Sequence, residues 1–292
     1  MTPPAFLGAR WAALRYGPLL AIAARNRRAG RHVAATIAAV ELGLDHARRQ
    51  TACERIARWL ELPPTEARQV FRASLRSEAQ EEADSAYFMN HPRALVPAFV
   101  RAGEPAHRGG TIYVTFHFGS PVLTYLYLRA GRVIDVVAVE RKLTAANPMP
   151  EAKQRWGARK VAWVERFTGR PMLDVDATAM ARAREHLLDG GALYAAVDVP
   201  GDVVGRAAAV PLFGERIRVS SGVPTLARLA RAPLLPVVAI SRNGRFDLHY
   251  GTPIDPGPEE QTLAALMDTL ATLLRRFPGE WWLWPYVAPA PP

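Results

Sequence analysis

The sequence predicts an α/β protein: a central mixed, largely parallel sheet flanked by helices, with a helical leader in front of it. Two observations carry that expectation. From Thr111 onward, short β-branched or aromatic runs alternate with longer segments of helical period, whereas before about Val100 only the helical period appears. Several of the later runs also pass straight into a helix start, as in Phe116-His117-Phe118-Gly119-Ser120-Pro121, where a serine in the N-cap position is followed by proline.

The elements follow in order. Ala9 to about Val100 reads as helical, with an alanine-rich periodic stretch at Val33–Leu44, a second helix at Thr51–Leu60, and a third opened by Pro63-Pro64-Thr65-Glu66. That third helix runs through Val70, Phe71 and Leu75 and is expected to end in an acidic patch, Glu78, Glu81, Glu82 and Asp84, which reads as a solvated face. Asn90-His91-Pro92 stops the helical region, with His91 as a turn residue.

After Gly109-Gly110 the expected order is strand Thr111–Phe116, helix Pro121–Ala130 and strand Val133–Val139. A short strand at Val161–Val164 and helix Ala177–Leu188 follow, and then strand Ala192–Val197. A short strand at Ala207–Pro211, helix Thr225–Arg231, strands Leu234–Ser241 and Phe246–Tyr250 and helix Glu259–Arg276 complete the domain. Residues 1–108 thus form a helical region packed on an α/β core at 109–287, and residues 288–292 read as a disordered tail.

Composition narrows the function. At 292 residues with 49% hydrophobic side chains the chain can bury a large core, and 37 Lys and Arg against 27 Asp and Glu leave a charge of +10. That charge favours an acidic partner: nucleic acid, an anionic membrane surface or an acidic carrier protein. The chain has no RNP-like segment, zinc-finger spacing or basic heptad region, which argues against nucleic acid. The single Cys53 excludes an internal disulfide and reads as a small helix residue. No apolar run is long enough to cross a bilayer. The stretch Phe6–Ala24, with Trp11, Tyr16 and the following Arg25, Arg27, Arg28 and Arg31, reads equally as a helix on an anionic membrane surface or as an amphipathic helix packed on the domain.

Ligands of open α/β sheets gather at the carboxyl ends of the strands, where His117, Glu140, Arg141 and Asp198 all fall. His117 sits at a strand-to-helix corner, a place that collects backbone N–H groups and the positive end of a helix dipole. An imidazole there suits general-base work. Asp198 reads evenly as a functional carboxylate or as a cap beside Pro200-Gly201. Ser221 reads as an N-cap, because Ser-Gly-Val-Pro lacks the nucleophile-elbow pattern. Trp281, Trp282, Trp284 and Tyr286 read as core aromatics or as residues at a headgroup layer.

The motifs form an ordered set. Phe116-His117-Phe118 is followed by Glu140-Arg141, Leu193–Asp198, Val210-Pro211-Leu212-Phe213-Gly214, Ser221-Gly222 with Thr225–Arg228, Pro236-Val237-Val238 and the closing Phe277–Trp284. This set resembles the lauroyl/myristoyl acyltransferases of lipid A biosynthesis, in the lysophospholipid acyltransferase superfamily, over roughly Thr111 to Tyr286. The resemblance implies a glycerolipid acyltransferase-like fold and transfer of an acyl group from an acyl-carrier-protein (or acyl-CoA) thioester to a hydroxyl or amine of an amphiphilic acceptor. It implies a peripheral place on the cytoplasmic face of an inner membrane, and neither cofactor nor metal. Under it His117 is the general base and the N–H groups around Gly119 and Ser120 receive the developing oxyanion, while Glu140, Arg141, Ser221 and Gly222 contact substrate.

One position departs from the family's pattern. Where members of that family carry Asp or Glu five residues after the histidine, this chain has Val122. Either a carboxylate from elsewhere (Asp198, Glu140 or Asp135) replaces it, or a backbone carbonyl suffices for an easier acceptor, or catalysis is lost. The alternatives to a lipid acceptor are therefore acyl transfer in secondary-metabolite biosynthesis and a non-catalytic carrier-protein- or membrane-binding homologue.

Overall fold

The computed structural model describes residues 7–100, 109–130, 136–140, 149–174, 178–201, 206–287 and 289–290. The leader comprises α1 (Gly8–Leu14), a π-helical stretch Arg15–Leu19 around Pro18, α2 (Leu20–Arg25), α3 (Arg27–Leu44), α4 (His46–Leu60) and α5 (Pro64–Asn90). The Asn26 side chain accepts from the N–H groups of Arg28 and Ala29, and that of Asp45 from Arg48, so each cap starts its helix where the preceding one has to end. Pro64 stands in the first turn of α5, and His91, held out of the α region by Pro92, closes it.

The α/β portion continues with β1 (Phe99–Val100), β2 (Ile112–Thr115), α6 (Pro121–Ala130), β3 (Val136–Glu140), α7 (Glu151–Thr168), β4 (Leu173–Asp174), α8 (Ala179–Leu188) and β5 (Ala192–Ala196). It ends with β6 (Ala207–Leu212), β7 (Glu215–Ser220), α9 (Gly222–Ala230), β8 (Leu234–Arg242), β9 (Arg245–Tyr250) and α10 (Glu259–Arg276). Among the described residues, seven strands form one sheet in the order β1-β9-β8-β2-β5-β3-β4, and β6 pairs with β7 in a separate hairpin. Every pair in the large sheet is parallel except β8 with β9.

The sheet is covered on both faces, as parallel strands require. Ile112, Val114 and Leu193 pack on one side with Ile56, Trp59 and Phe71 of the leader, while Tyr113, Tyr194 and Val237 face the other with α6. The alternation follows from the two-residue repeat of a strand. Leader and sheet therefore share one hydrophobic cluster.

The structure corrects several expectations. Val161–Val164 is helical, inside α7: Trp156, Trp163 and Val164 are buried, a spacing of two helical turns that outweighs a short β-branched run. Phe99–Val100 is an edge strand paired with β9, not the end of the helical region. Pro289 and Ala290, expected in a disordered tail, lie against β7, where Ala290 N–H donates to the Arg216 carbonyl. The first residues of the expected Val133–Val139 strand, Asp135 among them, lie outside the described residues.

The largest correction concerns the acidic patch. Helix α5 does not end there but runs through it, and Glu81, Glu82 and Asp84 are buried. The reason is a set of buried cations. Arg15, in the π-helical stretch, bonds Glu41 and Glu82, Arg48 bonds Glu78 at 2.9 Å, and Arg27 bonds Asp84 at 2.8 Å. Burial alone would raise the Glu78 carboxyl, but Arg48 and Arg15 hold it well below the usual carboxylate range. Removing one partner of such a pair leaves an uncompensated buried charge and costs about 3–5 kcal/mol.

Candidate active site

Register alone brings two predicted residues together. In the parallel pair β2–β5, Thr115 lies opposite Ala196, so the residues two further on, His117 and Asp198, leave the sheet side by side at its carboxyl end. Both oxygens of Asp198 are used. Oδ1 faces His117 Nδ1 at 2.8 Å, and Oδ2 accepts from the backbone N–H of His117 at 2.8 Å and from Trp281 Nε1 at 2.8 Å. Asp198 and Trp281 are fully buried, whereas 35% of the His117 side-chain surface stays open. With Nδ1 turned inward as donor, the imidazole presents its Nε2 lone pair on the open side.

Electrostatics agree with that geometry. Burial disfavours the imidazolium, but Asp198, with help from Glu78, holds the His117 pKa above the ordinary histidine value. Charge-assisted bonds of this kind each contribute about 1.5–3 kcal/mol, so ring orientation and tautomer are well fixed.

The end of the chain closes the corner. Trp282 N–H donates to the His117 carbonyl at 2.9 Å, Gly119 N–H to the Glu280 carbonyl at 2.9 Å, and Phe118 bridges to Trp281. Gly119 has φ of +60°, and a Cβ there would lie 2.1 Å from the Ala239 carbonyl oxygen, so no other residue fits. The tryptophans are core, not headgroup, residues: Trp281 and Trp284 are fully buried against Trp59, and the half-buried Trp282 lies edge-on to the His117 ring at 6.3 Å.

The expected oxyanion donors are not free. Phe118 N–H bonds the Phe116 carbonyl, Gly119 N–H the Glu280 carbonyl and Ser120 N–H the Ala239 carbonyl. Val122 N–H, in the first turn of α6, donates to Glu81 Oε1 at 3.2 Å. Ser120 instead serves the helix: its carbonyl takes the first intrahelical bonds, from the Thr124 N–H and hydroxyl.

Of the other predicted contacts, Ser221 and Gly222 form the head of α9, and neither bonds to His117. They stand one step away, because Ser220 N–H donates to the Val199 carbonyl next to Asp198. Thr225, and with it the buried Ser221 hydroxyl, holds the Glu259 carboxyl below its usual range. Glu140 closes β3, paired in register with Asp174, and Arg141 lies outside the described residues.

Three residues near the corner have no place in the site expected from the sequence. Glu81 is fully buried with Oε2 unpartnered, and burial, reinforced by Asp84 and Glu82 against Lys160, pushes its carboxyl up to about 8. Lys160, half-buried on α7, acts electrostatically on both His117 and Glu81. Trp281 is the donor that completes the Asp198 shell. In the sequence Glu81 shows only as one charge in an acidic run that reads as a solvated face, and Lys160 as a charge beside a short β-branched run.

The corner therefore holds a histidine oriented by a buried carboxylate, its other ring nitrogen unpaired among the described residues, at the carboxyl end of a parallel sheet. Among the described residues no group of three or more His, Cys, Asp or Glu side chains is placed to hold a metal ion. Compared with known proteins, the chain matches no protein-family model, and no curated protein matches it significantly.

Proposed function

We propose that the protein is an acyltransferase that moves an acyl group from an acyl-carrier-protein or acyl-CoA thioester to a hydroxyl or amine of an amphiphilic acceptor, in the manner of the lipid A acyltransferases its motifs resemble. The observation that supports this most is the His117–Asp198 pair with the Nε2 edge open. His117 Nε2 takes the acceptor's proton as the nucleophile attacks the thioester carbonyl, and the imidazolium is balanced by Asp198. Asp198 thereby fills the role that Val122 cannot, since Nδ1 has its carboxylate from the neighbouring strand.

The corner's own N–H groups are engaged within the protein, so the negative charge on the thioester oxygen is met from outside them. The collapsing tetrahedral species expels the thiolate, which recovers the proton from the imidazolium. The basic charge of the chain suits an acidic carrier protein and an anionic membrane surface. Among the described residues no helix is long and apolar enough to cross a membrane, in keeping with a peripheral place on the cytoplasmic face of an inner membrane.

Purified protein is assayed with acyl-carrier-protein and acyl-CoA donors against a panel of amphiphilic alcohols and amines. Transfer by the wild type and its loss by about 10²–10⁴-fold in His117→Ala is the expected result. No transfer to any acceptor, or an unchanged rate in the variant, overturns the reading.

A further inference from the structure

A cavity of about 440 Å³ opens between the leader and the α/β core, away from the His117 corner, walled by the π-helical stretch and α2, the end of α5, and α7. Its volume is within the usual range for a small-molecule site. Leu20, Ala21, Ala24 and Ala86 supply apolar wall. Trp156 lines it too, and the Nε1–H of that indole is buried with no acceptor.

Charge at the mouth points the same way. Arg25 and Arg159, on opposite walls, are exposed and form neither an ion pair nor a hydrogen bond among the described residues. The neighbouring leader cations behave differently: Arg15 and Arg27 each hold a carboxylate. On the same leader, Leu14 and Ile22 are 45% and 48% exposed, among the largest apolar side chains left in water.

We propose that this cavity seats the anionic headgroup of a membrane amphiphile, with Arg25 and Arg159 holding its charged oxygens and its alkyl part lying along Leu20, Ala21 and Ala24. Two free cations and an apolar wall select an anion joined to a hydrocarbon over either alone. The site names a lipid class for the surface on which the proposed acyltransferase works. It binds without chemistry, however, so its test is separable from that reading.

The probes are dihexanoyl phosphatidic acid as monomers, dihexanoyl phosphatidylcholine and inorganic phosphate, each titrated by calorimetry into the full chain. The phosphatidic acid is expected to bind, and the double variant Arg25→Ala/Arg159→Ala to lose roughly twentyfold in affinity, each cation beside a lipid headgroup being worth about fivefold. Ala24→Phe, which fills the cavity and keeps both charges, is expected to lose binding as well, with thermal unfolding confirming that each variant folds. Arg68→Ala/Arg72→Ala removes the same charge from exposed positions on α5 and is expected to bind as the wild type does.

Any of three results overturns the proposal: no binding by the wild type, equal loss in the Arg68/Arg72 control, or inorganic phosphate binding as tightly as the phosphatidic acid. His117→Ala is expected to keep full binding, so failure of catalysis and failure of this site are told apart.

Discussion

Asp198 and Glu81 are both carboxyls sealed from water beside the same corner, yet their surroundings are opposite. Asp198 meets three donors, from His117 and Trp281, and neither oxygen is idle. Glu81 meets one, the N–H of Val122, and its second oxygen has none. A carboxyl with donors on both oxygens is a fixed acceptor, whereas one with a bare buried oxygen holds a proton. Burial is common to both, so the donor count separates an orienting group from a proton-holding one.

Four substitutions break or sharpen that contrast. The largest effect is expected from Asp198→Asn, which keeps the shape but frees the imidazole tautomer; the analogous change in a serine protease triad costs on the order of 10⁴ in rate. Transfer assays read it, and NMR titration of the His117 ring is expected to show its pKa falling. In the wild type, transfer is expected to rise with pH through an inflection above the ordinary histidine value, because His117 has to be deprotonated to act as a base. The raised pKa also contributes stability that is fully present below the unfolded value of about 6.5 and is lost as pH climbs through the folded one.

Glu81→Gln comes next, and its signature is in stability. Burial pushes the folded carboxyl up to about 8 from an ordinary 4.5, so between those values the folded state holds a proton that the unfolded state has released. Stability therefore falls as pH rises across that window, by a few kcal/mol at most for one fully buried group, since each unit is worth about 1.4 kcal/mol. Urea unfolding at several pH values is expected to show that decline in the wild type and a flatter profile in the variant. An unchanged slope would show that Glu81 is already ionised, and the contrast would collapse.

Trp281→Phe removes one of the three donors to Asp198 and is expected to cost about 1–3 kcal/mol by denaturant unfolding, with a smaller loss of turnover than Asp198→Asn. The smallest effect on rate is expected from Val122→Asp. It supplies the carboxylate carried there by the acyltransferases that the motifs resemble, but Nδ1 is already engaged, so transfer is expected not to increase. A gain would mean that Asp198 is not the orienting group.

These contrasts explain what could be read in advance. Helices Pro121–Ala130 and Glu259–Arg276 were legible to the residue, because proline, acidic first turns and basic last turns are local signals. His117 and Asp198 were legible as strand-end residues, but their pairing needed the β2–β5 register, which no local pattern contains. The acidic run of α5 was misread because charge near the middle of a long helix usually faces water, and the residues that reverse this, Arg15 and Arg48, stand far back in the chain. The expected oxyanion donors were misread for the same reason: their acceptors are Glu280 and Ala239, supplied by distant segments.

That last pairing has a consequence for how the protein comes into being. The corner around His117 is held by Glu280, Trp281 and Trp282, which follow β2, β5 and α10 in the chain. Leader helices and the strands β2 and β5 can assemble first, but the His117 ring is fixed only when Glu280, Trp281 and Trp282 dock on it. A chain cut before Glu280 is expected to keep an assembled leader and to lose the fixed orientation of the His117 ring.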